Sequence, residues 1–225
     1  MYYGIDSDTA VFPSGASTQD FYAGRLGYGT TGDTSYFNET GASLASNVYM
    51  YWGIQGPKKD PNYSSSYTTT LAKSWGASQA VAANTAWNRK LNVNMWTIFA
   101  DIESGFGGWL TSSDRSDYAS INYAVFKGFV DRTNAYPAFA GCAGVYTSRG
   151  SWQTIMGTSN SPGYANTVWG ANYLYGSTFN NPPTSMSGCL SINGAAPTIW
   201  QYYGETGTHD PSKTGDANVA SAIPQ

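Results

Sequence analysis

Charge is what this sequence has least of. Only 11% of its 225 residues are Asp, Glu, Lys or Arg, where an ordinary soluble domain carries about 25%. The remainder is rich in rings, with 18 Tyr, 9 Phe and 8 Trp, the reverse of the charge-rich, aromatic-poor composition of disordered chains. Disorder is excluded on that basis. Eleven Lys and Arg against 14 Asp and Glu give a net charge of −3. No basic run is present to neutralise phosphates, so no nucleic-acid partner is expected. Histidine is nearly absent: His209 stands alone, which excludes His-cluster metal sites and argues against a Ser-His-Asp triad. It reads as an ordinary loop residue, and neither a metal nor a cofactor is expected. No apolar run approaches the ~18 residues of a membrane span. The opening Met1-Tyr2-Tyr3-Gly4 has no basic n-region, so a signal peptide, if one existed, is expected to have been removed.

Small polar residues take the place of charge. Ser, Thr, Asn and Gly number 26, 23, 16 and 26, 91 of the 225. Such a surface stays soluble without depending on ionisation, which suits a protein that is secreted or held at a cell surface. A chain of this length buries roughly 70% of the surface its unfolded form exposes, enough for one core without staples. No linker and no fixed-period repeat divides it, so residues 1–225 read as one domain.

Short apolar runs alternate with helix-like stretches. Strands are expected at Tyr2–Asp6, Phe21–Leu26, Val48–Ile54, Met95–Ile102, Ala143–Thr147, Thr167–Tyr175 and Thr198–Tyr203. Several are apolar on successive residues, as in Trp96-Thr97-Ile98-Phe99-Ala100, the pattern of strands covered on both faces. Helices are expected at 40–47 and 69–91, the latter with Leu71, Trp75 and Ala82 on its buried face. A third should start after a Ser113 cap, with Asp114 and Asp117 in its first turn. There Tyr118, Ile121, Val125 and Phe129 form one stripe. Alternating strands and helices imply a parallel sheet, and seven or so strands imply closure. Helix signals thin out in the C-terminal third. The expected fold is α/β, an irregular (β/α) TIM-like barrel. Gly24-Arg25-Leu26-Gly27-Tyr28-Gly29 lacks dinucleotide-binding spacing and reads as a turn.

Acidic residues are scarce enough for their places to matter. Asp6 ends the first strand, and Asp101-Ile102-Glu103 ends the fourth. Residues i and i+2 of a strand share a face, so Asp101 and Glu103 should project together at the C-terminal mouth, where barrels hold their active sites. Two carboxyls in a partly apolar mouth have their pKa values pushed apart. That supplies the acid and the anion that cleavage of a glycosidic bond requires. A helix cap or surface ion pair is the plainer alternative. The apolar neighbours Phe99, Phe106 and Trp109 should raise Glu103, and the Asp101 charge should raise it further.

Four motifs occur in order: Gly4-Ile5-Asp6; Asp101-Ile102-Glu103; Gly144-Val145-Tyr146-Thr147-Ser148 followed by Trp152; and Ile199-Trp200-Gln201-Tyr202-Tyr203, then a Gly-rich stretch to Asp216-Ala217-Asn218. With Trp169-Gly170-Ala171 before the last, they resemble the lysozyme-type enzymes of glycoside hydrolase family 25. The chain also resembles the related glycoside hydrolase-like barrel domains of uncharacterised function, most closely between residues 20 and 70. The resemblance implies that Glu103 is the general acid and that Asp101 orients or stabilises the reacting group, while Asp6 and Asp216 complete an acidic floor. For the terminal acid, Glu205 and Asp210 are the alternatives. It also implies a peptidoglycan or related polysaccharide as partner, cut between N-acetylmuramic acid and N-acetylglucosamine with help from the sugar's own acetamido group; the protein is expected to be a monomer. Trp52, Tyr146, Trp169, Tyr173 and Trp200, with Gln201, lie on or near strand ends where rings could stack on sugars; core packing is the competing reading for each. A non-catalytic carbohydrate-binding or surface-structural barrel, and a hydrolase of another polysaccharide, remain alternatives. The two cysteines, Cys142 and Cys189, precede strands on the same side of such a barrel. A disulfide between them is expected over buried thiols, closing a loop of about 46 residues for roughly 3–4 kcal/mol.

Overall fold

The computed structural model describes residues 1–7, 19–32, 37, 39–88, 95–136, 142–173, 182–204 and 216–224. These hold nine strands: β1 (Tyr2–Ser7), β2 (Gln19–Tyr28), β3 (Thr31–Gly32), β4 (Ala45–Gly53), β5 (Met95–Asp101), β6 (Ala143–Ser148), β7 (Thr167–Ala171), β8 (Ile199–Tyr203) and β9 (Asp216–Ala220). The α-helices are α1 (Glu39–Leu44), α2 (Thr69–Asn88), α3 (Tyr118–Asn134) and α4 (Arg149–Met156). The sheet order β1-β9-β8-β7-β6-β5-β4-β2 returns on itself through a β1–β2 pairing, which closes eight strands into a barrel; β3 only extends β2 as a hairpin. Seven of the eight run parallel, and β9 is inserted antiparallel between β8 and β1. The barrel is TIM-like and irregular. Its irregularity falls where the helix signals thin out: among the described residues no α-helix follows β7 or β8.

Each expected strand forms, and the successive apolar residues are explained by two packed faces. Phe21, Tyr49, Tyr51, Phe99, Tyr146 and Trp169 fill the barrel. Tyr22, Met50, Trp52, Ile98, Val145 and Val168 point outward against the helices. Trp200, Tyr202, Ala217 and Val219 form a separate outer cluster where Tyr3, Met186 and Cys189 provide cover.

Several boundaries differ from expectation. Residues 45–47 belong to β4, because Ala45 and Asn47 pair with Gln19 and Phe21 of β2. The third helix starts at Tyr118 behind Asp117, not behind Ser113. Asp114 is consumed by its own turn, accepting the Thr111 N–H at 2.8 Å and the Thr111 hydroxyl at 2.9 Å while pairing with Lys58. Those donors hold its carboxyl down at about 2. Leu71 faces solvent, and α2 buries Ala72, Trp75, Gly76, Gln79 and Ala80 instead. The reason is close approach: a Cβ on Gly76 would stand 1.9 Å from the Val125 carbonyl oxygen of α3. Residues 24–29 are mostly the end of β2, not a free turn. Residues 174–175 at the end of the sixth expected strand and residues 89–91 of the second helix lie outside the described residues.

The cysteines form no disulfide. Cys142 packs against the outer core just before β6, whereas Cys189 lies in the Trp200 cluster with its sulfur against Gly170. Gly170 pairs with Thr147, five residues along β6 from Cys142, roughly 16 Å at 3.3 Å per residue. A disulfide spans about 7 Å between Cα atoms at most. The two approaches therefore do not share a side. Burial raises both thiols, Cys189 to about 12.

Candidate active site

Parallel strands bring their C-terminal ends to one mouth, and antiparallel β9 brings its first residue there. Asp6 of β1 thus pairs with Asp216, and Gly4 with Asn218. The side chains of Asp6, Asp216 and Asn218 meet Gln201 of β8 in one hydrogen-bonded floor. Gln201 Nε2 donates to Asp216 at 2.5 Å and faces both Asp6 oxygens at 3.3 and 3.4 Å. Its Oε1 accepts the hydroxyls of Tyr146 at 2.6 Å and Tyr173 at 3.2 Å. Asn218 repeats the arrangement, donating to Asp6 at 2.5 Å and accepting the Trp169 indole N–H at 2.8 Å.

The orientation of both amides follows from their neighbours. An indole N–H can only donate, and an ionised carboxylate can only accept. Asn218 must therefore turn its oxygen to Trp169 and its nitrogen to Asp6. Gln201 is fixed in the same way. Burial first, then the charge of Tyr173 and of Glu103, Asp101 and Asp6, drives the Tyr146 hydroxyl far above its ordinary value. Burial and the Asp216 and Asp6 charges raise Tyr173. Both phenols stay protonated donors.

Asp101 and Glu103 approach from β5. Ile102 between them is fully buried in the outer core, so both carboxyls lie on the mouth side, as the i, i+2 parity predicts. Glu103 keeps an extended backbone (φ −139°, ψ 158°). Its carbonyl accepts the Trp109 indole N–H at 2.8 Å, and the Ile102 carbonyl accepts the Thr147 hydroxyl at 2.9 Å. Asp101 is buried, 3% exposed. Glu103 is half-buried, and burial raises its carboxyl above the ordinary glutamate value. The cause is desolvation, not the Asp101 charge expected to add to it.

The four acids of the sequence reading therefore converge, and Tyr146 marks the centre where three of their fields overlap. The aromatics largely do not. Trp52 points outward and donates to the Gly29 carbonyl at 2.9 Å; Trp200 points outward to the Asn172 carbonyl at 2.7 Å. Trp169 plugs the barrel against Tyr146 (centroids 4.7 Å apart) and Phe99 (5.3 Å). All three Trp rings are covered by protein, because alternate strand positions point into one or other core. Tyr146 is buried, and Gln201 spends its amide on the carboxylates. Tyr173 alone of the set offers a ring, half exposed, lying over Gly204 where a Cβ would stand 2.6 Å from it. Glu205, His209 and Asp210 lie outside the described residues. Asn218 is the member of this floor that the sequence reading did not place in the site. Asp-x-Asn carries the same i, i+2 signal as Asp-x-Glu and could have been read that way. Among the described residues no cluster of His, Cys, Asp and Glu is arranged to hold a metal, and no helix is long and apolar enough to cross a membrane.

Among solved structures, the chain is similar to a muramidase from Trichobolus zukalii, with a TM-score of 0.62 and 17% identity over 99% of this chain and 95% of that one. A family GH25 lysozyme from Aspergillus fumigatus gives 0.59 and 20% over 99% and 94%. The modular autolysin LytC from Streptococcus pneumoniae, in complex with a synthetic peptidoglycan ligand, gives 0.56 and 15% over 96% and 46%. No family model and no curated protein matches the sequence. The resemblance to glycoside hydrolase family 25 thus extends to the whole fold.

Proposed function

We propose that the protein is a secreted glycoside hydrolase of muramidase type, cutting the glycan chain of bacterial peptidoglycan with Glu103 as general acid. One observation carries the reading: two carboxyls share the mouth side of the β5 end, and the half-buried one is held up by desolvation. A protonated Glu103 can give its proton to the leaving glycosidic oxygen. Asp101, as an anion, stabilises the positive charge that develops on the sugar or orients its acetamido group. Asp6 and Asp216, held by Gln201 and Asn218, close the floor, and the Tyr173 ring offers a face for a sugar. The muramidase and lysozyme names of the fold neighbours support the substrate class, and the charge-poor surface supports secretion. A purely carbohydrate-binding barrel accounts less well for the site. Such a module depends on exposed rings, and four of the five candidate rings are packed away.

The test is clearance of a suspension of bacterial cell walls. Glu103→Gln keeps the shape and removes the transferable proton, so kcat should fall about 10²–10⁴-fold, and Asp101→Asn should lose a comparable factor. Parental activity in Glu103→Gln would move the acid elsewhere. A parent that degrades neither walls nor a chitin-type oligomer between about pH 3 and 8 ends the hydrolase reading.

A further inference from the structure

The sheet fixes β5 up to the mouth. The strand ends at Asp101, and the Ile102 N–H donates to the Tyr146 carbonyl at 2.9 Å. Glu103 lies one residue beyond, so its place depends on the loop that follows, residues 104–110. That loop opens as a turn, with the Gly107 N–H on the Ser104 carbonyl at 3.0 Å, and passes through Gly107 (φ +71°) and Gly108 (φ +79°). Trp109 then reaches back to the Glu103 carbonyl, and Leu110 enters the outer core.

A residue in the middle of α3 anchors this loop. Asn122 is fully buried beside Ile121. Its Oδ1 accepts the Leu110 N–H at 3.1 Å, and its Nδ2 donates to the Leu110 carbonyl at 2.9 Å. Nδ2 also donates to the Ile155 carbonyl at 2.8 Å, in the last turn of α4 where helix carbonyls lack partners of their own. A backbone N–H can only donate and a carbonyl can only accept, so the amide has one orientation. It holds both polar groups of Leu110 as a neighbouring strand would. From the other side the loop is tied to the chain after β4. The Gly107 carbonyl accepts the Gly56 N–H at 3.0 Å, and the Gly108 carbonyl accepts the Lys58 N–H at 2.9 Å. Trp75 and Gln79 of α2 hold the Gln55 and Gly56 carbonyls in turn.

We propose that Asn122 is a positioning residue for Glu103: it anchors Leu110 and thereby the Trp109 indole, which holds the Glu103 backbone so that the carboxyl stays half-buried at the mouth. The inference rests on the reading of Glu103 as the acid and names what keeps that acid in place. Without the anchor the loop loosens, water reaches the carboxyl, and the desolvation that raises it is relieved. The fields of Tyr146 on β6 and Tyr173 after β7 overlap that of Glu103. Asp101 stands on its own strand, and Asp6 and Asp216 stand on the floor. Lys59 packs on the loop at Gly108, and Arg25 packs on Phe106. Replacing Asn122 or Trp109 by a neutral residue alters none of these charges.

The glutamates of the chain are Glu39, Glu103 and Glu205. Isotope labelling of their carboxyl carbons therefore gives three NMR signals, and Glu103→Gln identifies one of them. In Asn122→Ala the Glu103 titration midpoint should fall toward the ordinary value of about 4.3, while the Glu39 midpoint stays in place. On cell-wall glycan, kcat should drop about tenfold to a hundredfold with KM little changed. The alkaline limb of kcat against pH should move to lower pH. Val125→Ala, equally buried on the same helix, is the control for lost packing. It should lower the melting temperature and leave the Glu103 midpoint where it is. A midpoint unmoved in Asn122→Ala, or moved as far by Val125→Ala, assigns Asn122 to stability alone and overturns the proposal. Should Asn122→Ala fail to fold, Trp109→Phe decides by the same midpoint, because it keeps a ring and loses the N–H. If the parent cleaves no glycan, the hydrolase reading fails by itself. The midpoints need no substrate and still decide the positioning.

Discussion

Two sets of carboxyls share one mouth and are treated in opposite ways. Asp6 and Asp216 face amide nitrogens whose direction is dictated by donors behind them: Trp169 behind Asn218, and Tyr146 and Tyr173 behind Gln201. Donors aimed at an oxygen favour the anion. Glu103 is positioned through its backbone, by extended geometry and the Trp109 bond, and its carboxyl is desolvated. Burial without aimed donors favours the neutral acid. The mouth thus gives one set aimed donors and the other burial, using residues of nearly the same chemistry.

The largest way to break this comparison is to remove the support beneath the floor. Trp169 packs on Tyr146, Phe99 and, at 6.2 Å, Tyr51, while its indole N–H fixes Asn218. Trp169→Ala should cost about 3–5 kcal/mol in urea unfolding. If it instead costs under about 1 kcal/mol and weakens glycan binding in a folded protein, the ring is a ligand face and the floor needs no plug.

Next in size is a change at the hub. Gln201→Glu replaces the amide that serves Asp6 and Asp216 with a third carboxyl. At pH 7 one of the three must remain protonated or go uncompensated, a loss of about 3 kcal/mol by analogy with a buried charge left unpaired. A carboxyl whose folded pKa is raised destabilises above the unfolded range and not below it. The deficit relative to parent should therefore shrink on going from pH 7 to pH 4. A deficit independent of pH would mean that Gln201 matters only for packing.

Much of this was legible in the residues. The barrel followed from runs such as Trp96–Ala100, and the Asp101–Glu103 parity followed from strand geometry alone. What escaped was set by tertiary context. β9 is five residues long, and its alternation is inverted: Asp216 and Asn218 turn polar groups inward while Ala217 and Val219 face the outer cluster, so it does not read as a strand with an apolar inner face. Trp52, Trp169 and Trp200 differ in burial face by one residue of register, which composition does not reveal. Cys189 is carried to Gly170 by a long connection whose path no spacing encodes. Asn122 sits beside Ile121 on the buried face of α3, and its partners Leu110 and Ile155 are brought to it by the fold.

The smallest expected effect sharpens the comparison most, because its sign is opposite to that at Gln201. The Glu103 carboxyl is raised in the folded protein by burial. Sign follows from linkage: below the unfolded glutamate range both states hold the proton and nothing is lost. As pH climbs through that range the unfolded chain ionises first, and the parent loses stability until the raised folded pKa is passed. Glu103→Gln cannot ionise and escapes this loss. Its melting temperature relative to parent should thus be flat below about pH 4 and should rise toward pH 7, in the same variant whose activity collapses. Scanning calorimetry at several pH values reads the difference directly. A melting temperature that falls relative to parent as pH rises would mean that the folded protein favours ionised Glu103. In that case the carboxyl is held as an anion, and the assignment of Glu103 as the acid is wrong.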